Sequence, residues 1–170
     1  MPDDKTGIKR IIINHLSPVL MGAKPAALFP APSGDACAAL AALLPPRLGL
    51  MVLRETKNGL LVFVFDREGL EKTLAAKTAG AVLSGLGYPA GSPVSAALAH
   101  LKKQFACGRF PHEVGLFLGY PAEDVLGFVE HKGRNYKLCG YWKVYGNVRQ
   151  AKRCFRRYDI CRDRFKSVML

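Results

Sequence analysis

Residues 48–65 read LGLMVLRETKNGLLVFVF, two apolar runs joined at Lys57-Asn58-Gly59. The pattern predicts a β-hairpin with arms over 48–55 and 60–65, because Asn-Gly supplies the positive φ angles of a type I′ turn. Its second arm, LLVFVF, is apolar on both sides of the pleat. A strand of this kind needs cover on both faces.

Working outward, Asp66 is placed to cap a helix over 67–86, where Leu70, Leu74, Ala81 and Leu86 recur at near-helical spacing and Gly80 and Gly85 are candidate breaks. Ser92 reads as the N-cap of a helix over 93–105 that ends at Gly108. Pro111 opens a short helix over 112–118, closed by Gly119. Pro121 starts another toward His131, with Glu123 and Asp124 at its positive end. A strand over 136–145 is expected to pair with the hairpin, and Asn147 caps a last helix over 148–166. On the N-terminal side, 8–13 is an apolar segment that fits a strand or the start of a helix. Pro18, Pro25, Pro30 and Pro32 then make 14–33 an ordered loop with at most one helical turn around 24–29. Ser33 or Asp35 caps an alanine-rich helix through Leu44, stopped by Pro45 and Pro46. The expectation is an α+β fold, a small, mostly antiparallel sheet (hairpin 48–65 plus strand 136–145) packed with about five or six helices. No internal repeat is evident, and no boundary is stronger than 87–93, so 1–170 reads as a single domain.

At 170 residues the chain is long enough to bury a core without disulfide or metal staples. Neither a signal-peptide pattern nor a run of about 18 apolar residues is present, and the expected setting is soluble and cytoplasmic, with no membrane partner. The five cysteines, Cys37, Cys107, Cys139, Cys154 and Cys161, contain no CxxC pair. In a cytosol they are expected to be reduced and mostly buried as small apolar residues. Cys154 and Cys161 fall on one helix about 10 Å apart, too far to bond.

Charge is unevenly distributed. Residues 132–170 hold twelve Lys or Arg against Asp159 and Asp163, a net of +10, whereas 1–131 carry thirteen basic and eleven acidic residues, a net of +2. In the last helix Ala151, Cys154, Phe155, Tyr158, Cys161 and Phe165 make one apolar seam, and Arg149, Lys152, Arg153, Arg156 and Arg157 fill the flank. Such a helix docks by its seam and displays its cations. A solvated surface helix would look similar, but these cations repel one another at i,i+4 with no acid among them. Together with Lys143 they form the candidate partner-binding set. The partner is an acidic protein or a phosphorylated ligand. Nucleic acid is the alternative, with Trp142 and Tyr145 as stacking groups, although no helix-turn-helix, zinc-finger or RNP-type signature accompanies them.

Two further stretches carry a resemblance. FPHEVGLFLGYPAEDVLGF at 110–128, followed by GYWKVYG at 140–146, resembles an uncharacterised bacterial family common in clostridia and other anaerobic Firmicutes, whose hallmark is FPHE(I/V)GxFLGYPxxDVxGF with GxWKVY behind it. An early HxSPxLxGxKPxxLF pattern matches at His15, Ser17, Pro18, Leu20, Gly22, Lys24, Pro25, Leu28 and Phe29, with Leu16 where many relatives carry cysteine. The resemblance implies a role in iron homeostasis, with an acidic flavodoxin-like protein as the kind of partner a basic helix would suit.

A catalytic alternative rests on His112, Glu113, Lys24 and His15, with Lys143 and Cys139 as further members. A histidine beside a carboxylate at a helix start can act as a general acid or base. Against this, neighbours on a helix point about 100° apart, and both residues have structural roles at a helix start. Binding without catalysis is therefore the favoured reading, and the cofactor is unknown. HExxH, zinc-finger spacings, the P-loop and a GxGxxG after a strand are all absent. A metal would have to be assembled from distant His15, His112 and Cys139.

Overall fold

Strand β3, Gly59–Asp66, lies between β1, Ala26–Ala31, and β2, Leu48–Thr56, in an antiparallel sheet of order β1-β3-β2. A computed structural model describes residues 3–170. As the apolar LLVFVF run requires, β3 is covered on both faces. Phe63 and Phe65 point into one core with Ala26, Leu28, Met51 and Leu53. Val62 and Val64 point into another with Ala27, Phe29, Leu48 and Leu50. Period-2 alternation thus divides one sheet between two cores.

The first core is closed by α4, Arg67–Ala75, α5, Lys77–Gly85, α6, Val94–Ala106, and α7, Val114–Phe117, through Leu70, Leu83, Leu101 and Phe117. The second is closed by α1, Asp3–Ile11, a π-helical turn, Ile12–Leu16, α2, Ser17–Leu20, and α3, Gly34–Leu43. Beyond the sheet lie α8, Ala122–Glu130, a two-stranded ribbon of β4, Leu138–Cys139, and β5, Lys143–Val144, and the long α9, Val148–Met169. A third core of Trp142, Val144, Ala151 and Tyr158 holds this end together. The class is α+β, as expected.

Three expectations about the sheet are corrected. Its third strand is β1 and not 136–145, which forms the separate β4–β5 ribbon with Leu138 opposite Val144. The supposed loop over 14–33 contains the π turn, α2 and β1. Pro18 sits in the first turn of α2, where its missing N–H costs nothing. Pro30 is exposed on an edge strand, whose outer side has no ladder to lose. The hairpin turn is not type I′ either: positive φ falls on Gly59 (φ +133) and not on Lys57 or Asn58. A bulge between Val52 and Arg54 absorbs the twist.

The expected caps Ser33, Asp66 and Asn147 accept from the backbone N–H of Ala36, Gly69 and Gln150. The helix expected over 67–86 breaks at Ala76 (ψ +133) and not at Gly80 or Gly85. The bend lets Leu70 and Leu83 reach the same core. Ser92 caps nothing, since Pro93 occupies the N-cap of α6 without a side-chain bond. The helix expected from His112 begins at Val114, after a turn in which the Val114 N–H donates to the Pro111 carbonyl at 3.1 Å. The segment over 8–13 is helical, entering through α1 and the π turn.

Candidate functional site

Two short helices meet at Gly119-Tyr120-Pro121, and this corner positions everything around it. Gly119 adopts φ +81, and a Cβ there would meet Pro25 Cδ at 2.8 Å, so only glycine lets the corner rest on the strand entry. One turn later Asp124 is buried in the first turn of α8. Its Oδ2 accepts from the Trp142 indole at 2.7 Å, and its Oδ1 accepts from the backbone N–H groups of Tyr145 and Gly146, each at 2.8 Å. Three donors and a helix N-terminus compensate the buried carboxylate. Neighbouring Glu123 accepts from the Asn147 N–H at 3.2 Å. The two acids that read as helix-dipole partners thus fasten α8 to the segment that launches α9.

Trp142 is held from three directions, stacked on Tyr120 at 4.8 Å and set edge-on to Phe155 at 4.6 Å. It is core, with 7% of its surface exposed, and so is closed to a nucleobase. Tyr145 lies against His131 at 5.5 Å.

The last helix turns the expected faces inward and outward. Ala151, Tyr158 and Cys161 are buried, Cys154, Phe155 and Phe165 are half-buried, and α9 packs on α2 and the π turn. Arg149, Lys152, Arg153, Arg156 and Arg157 are all exposed. Among the described residues the α9 ion pair is Arg162 with Asp159 at 3.9 Å, and it lies apart from these five. Sequence reasoning missed Ile160, which is 45% exposed although apolar. At 3.6 residues per turn, Arg149, Arg153, Arg156, Arg157, Ile160 and Arg164 share an arc of about 100° opposite the seam. The missed signal was an isoleucine three and four residues from Arg157 and Arg156.

Lys143 does not join that stripe. Its Nζ donates to the Gly133 carbonyl at 2.8 Å and lies 4.9 Å from the Tyr136 ring and 5.8 Å from the Phe128 ring. It lines a cavity of about 380 Å³ that also admits His112 and Cys139. The fold therefore unites three candidates from separate parts of the chain. Glu113 accepts from the Tyr88 hydroxyl at 2.9 Å and, together with His112, lines a neighbouring cavity. Burial, the Glu113 charge and this bond push the Tyr88 hydroxyl far up.

His15 and Lys24 belong elsewhere and do not line the cavity that holds His112 and Lys143. His15 stacks on Phe29 at 5.4 Å, and burial, followed by the charges of Lys24 and Arg162, holds its ring below the usual histidine range. Lys24 places its ammonium 5.5 Å from the Tyr120 ring centroid and 5.8 Å from that of Tyr158. Burial lowers it to about 8. Of the candidate constellation, His112 and Glu113 share a cavity, whereas Lys24 and His15 lie apart from it.

The cysteines are free, but only Cys37 and Cys161 are buried; Cys107 and Cys139 are exposed, contrary to expectation. Among the described residues no group of three His, Cys, Asp or Glu side chains converges, and no helix is long and apolar enough to cross a membrane.

A family model described as a protein of unknown function, DUF3793, matches residues 12–170. The chain belongs to this family. Both the α7–α8 corner and the α9 stripe lie inside the matched DUF3793 region. No curated protein and no solved structure matches the chain.

Proposed function

We propose that this DUF3793 protein is a binding protein that engages an acidic protein surface through the outer stripe of α9. The observation that carries the reading is Ile160, an exposed apolar side chain set among Arg153, Arg156, Arg157 and Arg164. An apolar centre ringed by polar groups is how protein interfaces concentrate their energy. The cations steer an acidic partner and fix its orientation. With Trp142 buried, a nucleic acid would find phosphate contacts without that stacking platform. The setting implied by the family resemblance, iron homeostasis with a flavodoxin-like partner, belongs to this proposal, as does a cytoplasmic location.

The test measures the affinity of the intact chain for a purified acidic flavodoxin by titration calorimetry across a salt series. Arg153→Glu with Arg156→Glu is expected to weaken binding by more than tenfold, and Ile160→Ala by about tenfold, the size of one well-packed interface anchor. If charge reversal abolishes binding while Ile160→Ala leaves it unchanged, the stripe is a purely electrostatic anion site, as for a phosphorylated ligand or duplex DNA. No detectable binding to the flavodoxin at low salt overturns this choice of partner.

A further inference from the structure

The cavity of about 380 Å³ lies between the α7–α8 corner and the β4–β5 ribbon. Its walls are largely rings, those of Phe110, His112, Tyr120, Phe128, Tyr141 and Trp142. The volume falls within the range of small-molecule sites, about 300–1,000 Å³. Phe110 stands at the wall with 40% of its surface exposed, edge-on to Phe105 and tilted against His112. A concave surface lined by apolar and aromatic side chains with a few polar groups is the form that ligand pockets take.

The ionisable groups of opposite sign in the lining differ in what they have free. Asp124 lines the cavity, but both its oxygens are taken by the Trp142, Tyr145 and Gly146 donors. Lys143 has no carboxylate partner among the described residues; one of its N–H groups serves the Gly133 carbonyl. An ammonium has three donors, so Lys143 retains two for an incoming acceptor. Cys139 provides an exposed thiol on the same wall.

We propose that this cavity is a binding site for a planar aromatic molecule bearing an acidic group, its rings seated between Phe110 and Phe128 and its anion on Lys143. Ring faces select a flat apolar body, and the unmatched ammonium selects the acid over its neutral analogue. The site is separate from the outer stripe of α9.

The probe is 8-anilinonaphthalene-1-sulfonate, which carries a planar naphthalene ring and a single negative charge, compared with neutral N-phenyl-1-naphthylamine. Trp142 is the sole tryptophan and lines the cavity, so its emission reports occupancy directly. Titration of the intact chain is expected to show one saturable site that quenches Trp142, with the neutral probe at least tenfold weaker. In a Cys107→Ser background, bound sulfonate slows alkylation of Cys139 by iodoacetamide at least fivefold, read by peptide mass. Lys143→Met removes the preference for the anion, and Lys143→Arg restores it. Arg153→Glu with Arg156→Glu leaves all these readings unchanged, so failure here is distinguishable from failure of the α9 reading. Non-saturable binding, an unperturbed Trp142, an unprotected Cys139 or equal affinity for the two probes in the parent chain each overturns the proposal.

Discussion

Asp124 shows how much one side chain can hold. Its carboxylate joins α8 to Trp142 and to the backbone that enters α9, with all three bonds buried or partly buried. Asp124→Ala strands one indole and two backbone donors, and such losses add up to more than about 3 kcal/mol. Urea unfolding followed by Trp142 fluorescence should show this drop, with Asp124→Asn between parent and alanine because its amide keeps an acceptor oxygen. Little of this was legible in the sequence. Asp124 sits where a helix dipole alone would explain it, and nothing local reveals that its donors lie eighteen or more residues downstream. Gly127 was similarly silent: a Cβ there would run into the Tyr145 side chain.

Elements ruled by local chemistry are where sequence reasoning succeeded. The hairpin arms, α3, α6 and α9 fall close to their expected ranges because apolar periodicity and capping residues act within a few positions. Asn147 illustrates the point, since its Oδ1 accepts from the Gln150 N–H at 3.0 Å. Asn147→Ala is expected to cost about 1 kcal/mol, measured as a shift of the urea midpoint with an unchanged slope. Asn147→Asp should keep most of that stability. Failures came where a neighbour overrides propensity. Strand β1 has four residues of ordinary apolar character around Pro25 and Pro30, and only the vacant edge of β3 makes it a strand. Residues 136–145 alternate like a strand, yet Asp124 and α9 fold them into a ribbon two residues wide on each side.

For the molecule as a whole, the N-terminal segment, the α7–α8 corner and α9 converge on Lys24. Its ammonium, between Tyr120 and Tyr158, falls from an ordinary 10.5 to about 8 through burial. Below that value both the folded and unfolded chains hold the proton, and the fold bears the full cost of the desolvated charge. Between about 8 and 10.5 the folded state releases its proton first, so stability rises with pH across that window. Lys24→Met should therefore be more stable than the parent near neutral pH, with the advantage shrinking as pH climbs through the window. Chemical unfolding at a series of pH values checks this; a constant difference would mean that Lys24 titrates normally in the folded chain. The same convergence separates Lys24 and His15 from His112, so the sequence motifs that suggested one catalytic group serve different neighbourhoods.

By itself the sequence determined the α+β class, the doubly covered central strand, the capped helices and the amphipathic α9 with its cluster of cations over 149–157, because periodicity, caps and charge are properties of neighbouring residues. Only the tertiary structure decided which strand completes the sheet, that Trp142 is core, that Ile160 stands among the arginines, and that His112, Cys139 and Lys143 share a cavity. Those outcomes depend on which surfaces compete for the same buried space, and that competition is settled between residues far apart in the chain.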